Sequence, residues 1–151
     1  MNSERIRDQF GSYGVEILQA DAGRRVSSLY SQGPDSGRIC RTFAVVEFTI
    51  PVAQQILSEH ERIVAGQSIG EVFVDAGWKI DKVSLFIGES SASEHDFALD
   101  ELMRIDAQQS LATHRYKFVV ESGADRIEYA TITEVHHPDY LDQRQLTSIY
   151  D

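Results

Sequence analysis

Four side chains carry the chemistry this sequence offers: one acid, Glu134, and three arginines, Arg25, Arg41 and Arg115, all in stretches that read as β-strands. Glu134 lies within Ala130-Thr131-Ile132-Thr133-Glu134-Val135-His136-His137-Pro138, a run rich in β-branched residues and stopped by a proline. Strand alternation puts Ala130, Ile132, Glu134 and His136 on one face. A carboxylate beside Ala130 and Ile132 needs a cationic or hydrogen-bonding partner, because an unpaired buried charge is costly or forces its pKa up. The alternative is a face that opens to solvent near the strand's end. The arginines are either solvated or at sheet edges, or they bind a carboxylate through paired N–H donors while Glu134 receives or gives a proton. A hairpin pivoting on Ser122-Gly123-Ala124-Asp125 brings Arg115 near the level of Thr133 or Glu134, as a charge partner for Glu134.

Other chemistries find little support. His136 and His137 are adjacent in a strand, point to opposite faces and do not readily chelate one ion. His95 and His114 are isolated, and His60 sits at the edge of an apolar helical stripe, where packing is its ordinary role. No metal site and no cofactor are expected. There is no GxSxG elbow for a serine hydrolase, and neither a dinucleotide glycine fingerprint nor a phosphate-loop motif occurs. Cys40, the single cysteine, rules out an intrachain disulfide and reads as a small hydrophobe inside a strand.

The net charge of −10 argues against nucleic acid and against anionic membrane surfaces as partners. It leaves room for a small aromatic or carboxylate ligand in a pocket made positive by inward arginines. No apolar run approaches the roughly 20 residues of a membrane span. The first residues, Met1-Asn2-Ser3-Glu4-Arg5, lack the apolar core of a secretory signal, so a cytoplasmic location is expected.

The elements that must position these residues follow from periodicity. Strands are expected over residues 15–19, 25–30, 38–48, 78–87, 113–121 and 126–137. In the third, Ile39, Arg41, Phe43, Val45 and Glu47 share one face. A short helix over 3–10, begun by Asn2 or Ser3 and broken at Gly11, opens the chain. Pro51 starts a helix reaching Val64, and Ser68 with Glu71 makes a capping box for a second one over 69–74. A further short helix is expected over 97–105. Residues 138–151 read as a loosely packed polar tail. The sum is a single α+β domain over 1–151, built on an antiparallel sheet of about six strands with helices inserted mid-chain.

In its order of pieces the chain resembles the chorismate pyruvate-lyase family and the related ligand-binding domains of GntR-type transcription regulators. The resemblance rests on the opening helix before Val15-Glu16-Ile17, the hairpin over 25–51, the loop Gln67-Ser68-Ile69-Gly70-Glu71-Val72-Phe73, and Arg115 followed by Ile132-Thr133-Glu134-Val135-His136-His137-Pro138. It implies a chorismate lyase-like fold and cofactor-free loss of pyruvate from chorismate to give 4-hydroxybenzoate. By the resemblance, Glu134 matches the acid at the substrate's hydroxyl end, and Ile69, next to Gly70, matches the loop residue whose backbone meets the ligand. The arginine for the ligand carboxylate corresponds to Arg25, with Arg41 as the alternative. Two features differ: the turn at Gln32 to Gly37 replaces the family's Gly-Glu/Gln-Pro-Trp hairpin, and the first two strands are more closely spaced. Three readings follow: a lyase for chorismate or a similar enolpyruvyl or aromatic acid, a non-catalytic binding domain for such a ligand, and a vestigial pocket with Glu134 structural.

Overall fold

Runs of β-branched and aromatic residues punctuated by glycine turns build one sheet. A computed structural model describes residues 1–150 and contains six strands: β1 (Gly14–Ala20), β2 (Arg24–Gln32), β3 (Arg38–Phe48), β4 (Lys79–Ser91), β5 (Ser110–Ser122) and β6 (Asp125–His136). They pair antiparallel throughout in the order β1-β2-β3-β6-β5-β4. The β2–β3 turn closes where Gly33 N–H donates to Gly37 O at 2.7 Å. The β5–β6 turn uses Gly123 at φ 59°, a backbone conformation that favours glycine. The architecture is a single α+β domain.

One face of the sheet is covered by α1 (Asn2–Phe10), α2 (Leu57–Val64), α3 (Ile69–Asp75) and α5 (Gln143–Tyr150). Its largest core cluster joins Phe48, Ile63, Phe73, Phe118, Tyr129 and Ile132. A smaller cluster ties α1 and α5 together through Ile6, Tyr140, Leu141 and Leu146. The opposite face packs α4 (Leu99–Met103) against Val26, Cys40, Phe43 and Val135.

Several elements differ from their sequence expectation, each for a local reason. The helix expected from Pro51 begins only with a 3-10 turn at Gln54–Ile56 and then α2. Thr49 N–H still donates to Tyr129 O at 2.9 Å, so the chain is tied to the sheet just where the pattern would start the helix. Ser68 is the N-cap of α3, but its side chain makes no capping bond and instead lines a cavity, so the capping box does not form. α4 stops at Met103 because Arg104 turns left-handed (φ 56°), its guanidinium pairing with Asp35 at 3.0 Å. The expected loose tail is a docked helix: Leu146 of α5 is wholly buried, as are Tyr140 and Leu141 before it. Asp151, the end of that tail, lies outside the described residues.

Bulges reset the strand faces. Leu29 pairs with Thr42 and Tyr30 with Cys40, so Arg41 is an extra residue in β3. Cys40 therefore packs beside Phe43, contrary to strict alternation. Burial pushes its thiol up to about 12, which leaves it a hydrophobe without nucleophilic character.

Candidate functional site

Between the sheet, α1 and α3 lies a cavity of about 370 Å³, a size that suits a small organic ligand. Cross-strand register explains why it exists. Ser27 pairs with Ala44, and Ala44 with Glu134, so the floor of the sheet carries two small side chains in a row next to the acid. Leu29, Ile132 and Phe118 make the surrounding wall apolar, and Ile69, Gly70 and Val74 of α3 close it from above.

Arg25 enters this cavity from β2 and is only 7 % exposed. Its Nη1 donates to Ile63 O (3.1 Å) and Gln67 O (3.2 Å) at the end of α2 and the loop after it, which fixes the guanidinium plane. Its Nε is buried without a hydrogen-bond partner. None of the ion pairs among the described residues involves Arg25. Burial holds its pKa below the ordinary guanidinium value, with only Tyr129 and Tyr13 acting against that. A charge desolvated to this extent with no counter-ion carries an unmet electrostatic demand.

Glu134 stands on β6 two strands away, about 10 Å across the sheet and about 7 Å along it from Arg25 by strand spacing and rise. It is 6 % exposed and lines the cavity. Asn2 Nδ2 donates to its Oε2 at 3.0 Å, and Tyr140 Oη in turn donates to Asn2 Oδ1 at 2.6 Å. Its Oε1 has no hydrogen-bond partner. Burial by itself would raise the Glu134 pKa, but the Lys82 ammonium, the imidazoles of His136 and His114 and the Asn2 amide outweigh it, leaving the carboxyl below its ordinary value. The site thus presents a cation at one end and an ionised acid at the other, with apolar walls between.

Three residues of the cavity escape the sequence reading of the site. Lys82 lines it from β4, its Nζ 5.2 Å from the Tyr116 ring centroid and 5.8 Å from that of Tyr150. Its sequence signal is shared parity with Ile80, which also lines the wall. Tyr13 contributes a hydroxyl kept protonated, because burial pushes its pKa up to about 12. Asn2, expected as a helix cap, spends its amide on Glu134 instead.

Of the residues singled out from sequence, the structure brings Arg25, Ile69, Gly70 and Glu134 to one cavity and leaves Arg41 and Arg115 outside it. Arg41 is buried at its bulge, with Nε donating to Ser31 Oγ at 2.8 Å and the guanidinium carbon 3.8 Å from the Phe10 ring centroid. Arg41, the alternative to Arg25 for a ligand carboxylate, therefore does not line this cavity. Arg115 pairs in register with Thr133, the level anticipated, but is exposed on the opposite face. The residue directly across from Glu134 is His114, so Arg115 is not its charge partner. His137 Nε2 is 3.0 Å from Met103 O, and Asp139 N–H donates to His137 Nδ1 at 3.0 Å. His60 Nδ1 is 2.6 Å from Tyr129 Oη. Among the described residues no three His, Cys, Asp or Glu side chains converge as a metal site would require.

The buried His136 makes folding pH-dependent. Desolvation pushes its pKa down to about 4, whereas the unfolded chain takes up that proton near the ordinary value of about 6.5. Between these values the unfolded state binds more protons, so stability rises with pH and is lost on acidification. Unfolding by urea at pH 7 and at pH 4 should differ by about 3 kcal/mol from this residue. His136→Gln should flatten that part of the slope; an undiminished acid loss in the variant would show that the proton goes elsewhere.

No protein-family model matches the sequence, and no curated protein does. Among the described residues no helix is long and apolar enough to cross a membrane. In fold the chain is similar to the crystal structure of a GntR-family transcriptional regulator from Enterococcus faecalis V583, with a TM-score of 0.51 over 87 % of this chain and 93 % of that one. At 15 % identity this likeness establishes a shared fold, the one that holds the cavity just described.

Proposed function

We propose that this protein binds a small aromatic acid in the cavity, with the ligand's carboxylate at Arg25 and its polar far end at Glu134. The observation that carries this reading is Arg25: a buried guanidinium with an orphan Nε and no acidic partner, opening onto apolar walls. Fixing its plane on two carbonyls lowers the ordering cost of a paired carboxylate contact. The fold shared with a transcriptional regulator favours binding as the role.

The test is thermal unfolding and calorimetry with benzoate, 4-hydroxybenzoate, benzamide and phenol. Ligand present at 100 times its dissociation constant stabilises the folded state by about 2.7 kcal/mol. The carboxylates should raise the melting temperature while benzamide and phenol leave it unchanged. Equal responses to acid and amide would remove the anion-binding role of Arg25.

A lyase reading is favoured by one further observation, the ionised Glu134 lining the same cavity. On chorismate or a related enolpyruvyl acid, such a carboxylate suits removal of a ring proton as the bond to the enolpyruvyl oxygen breaks. Pyruvate release from chorismate, abolished by Glu134→Gln, would establish catalysis. Binding of 4-hydroxybenzoate without pyruvate release would leave the domain as a binding module.

A further inference from the structure

Three buried side-chain atoms that lack hydrogen-bond partners belong to one neighbourhood: Glu134 Oε1, His136 Nε2 and His114 Nδ1. His136 Nε2 lies 3.8 Å from Glu134 Oε1, a charge–dipole contact longer than a hydrogen bond. The other ring nitrogen, Nδ1, is 2.8 Å from Thr42 Oγ1. Thr42 and His136 sit directly opposite each other across β3 and β6, and both are essentially without exposed surface. Two tautomers are open to the ring. If Thr42 accepted from Nδ1–H, the Nε2 lone pair would face an ionised carboxylate in a buried site, a repulsion with no solvent to relieve it. If Thr42 donates to Nδ1, Nε2 carries the hydrogen and points it at Glu134.

We propose that His136 is the positioning residue of Glu134: its Nε2–H, set by the Thr42 hydroxyl, holds the carboxylate ionised and oriented so that it accepts a hydroxyl from the ligand. This rests on the reading of the cavity as an aromatic-acid site. Asn2 grips Oε2 and His136 faces Oε1, so the carboxylate cannot rotate away from the cavity without losing one of them. The other charged or titratable groups facing this pair are Lys82 on β4, His114 and Tyr116 on β5, Arg5 on α1, Tyr13 before β1 and Tyr140 after β6. Lys82 lines the cavity with its cation near two tyrosine rings, and His114 Nε2 is already engaged with Ser84 Oγ at 2.8 Å. His114 also keeps a free ring nitrogen, Nδ1, but among the described residues only the His136 imidazole brings a nitrogen within 4 Å of the carboxylate.

The experiment titrates the Glu134 carboxyl carbon by NMR in wild type, His136→Phe, His136→Gln and Thr42→Val. Loss of the imidazole should raise the Glu134 midpoint by about one pH unit. Glutamine, which can accept from Thr42 and donate to Oε1, should return most of it, and Thr42→Val should give a smaller rise. Calorimetry then compares 4-hydroxybenzoate with benzoate, and the preference for the hydroxylated acid should fall at least about tenfold in His136→Phe and recover in His136→Gln. Should the phenylalanine variant fail to fold, the glutamine and Thr42→Val variants carry the measurement. An unmoved midpoint, or glutamine no better than phenylalanine, overturns the proposal and leaves His136 as packing. If wild type binds neither acid, the cavity reading fails, while the carboxyl titration still decides whether His136 governs Glu134.

Discussion

Arg25→Met is expected to lower affinity for an aromatic carboxylate by a factor of several hundred. Hydrogen bonds to a charged group are worth about 1.5–3 kcal/mol each, and a carboxylate docked on a guanidinium edge loses two of them. The loss should be large because the other cationic side chain lining the cavity, Lys82, stands on β4 at the far edge of the sheet from β2. Arg25→Lys keeps the charge but not the planar pair of donors, so it should recover only part of the affinity. Arg41→Met is the informative control. Its guanidinium is spent on Ser31 and the Phe10 ring, so it should cost stability and leave ligand affinity within about twofold. Calorimetry with 4-hydroxybenzoate across the three variants separates these outcomes, and an Arg25→Met protein that binds as well as wild type would end the assignment.

The largest effect on stability should come from Phe73→Ala, which is expected to cost about 3–5 kcal/mol. Phe73 has no exposed surface and meets the Tyr129 ring at 5.0 Å and the Phe118 ring at 5.8 Å. Truncation empties the centre of the largest core cluster and removes the anchor of α3, a helix of seven residues with little independent stability. Domains of this kind hold about 5–15 kcal/mol in total, so the variant should lie close to its unfolding midpoint at moderate temperature. Because Ile69, Gly70 and Val74 of α3 form one wall of the cavity, ligand affinity should fall along with the urea midpoint. A variant that loses stability but binds unchanged would mean that α3 does not close the site.

These two variants separate the layers of the design. Arg25 tests the chemistry at one end of the cavity, and Phe73 tests the packing that shapes it. The acid end is built differently, because the groups that set the charge state of Glu134 come from α1, β4, β5 and its own strand: Asn2, Lys82, His114 and His136. None of these partners is within its own turn of sequence except His136, two residues on along the same strand.

The amino-acid sequence alone determines the strands, the two turns at Gly33–Gly37 and Gly123, the antiparallel α+β class, and that Glu134 shares a strand face with Ala130 and Ile132. It does so because alternation and turn chemistry are local: each depends on neighbours a few residues away. Arg25 and the Ile69–Gly70 loop were likewise legible as candidates. What the tertiary structure decided is which candidates share a cavity. Arg41 sits at a bulge that turns it to Ser31 and Phe10, several residues along β3 from the partner of Arg25, and an extra residue in a strand is set by how the partner strand fits, which alternation does not register. Arg115 lies at the anticipated level but on the opposite face, because its partner is Thr133 rather than Glu134 and a shift of one residue in register exchanges the faces. Asn2 reads as a helix cap, but its amide finds a carboxylate from the other end of the chain, and Lys82 reads as a marginal strand residue, but packing puts it in the same cavity as that carboxylate. Local physics places a side chain on an element; only the packing of distant elements decides what that side chain meets.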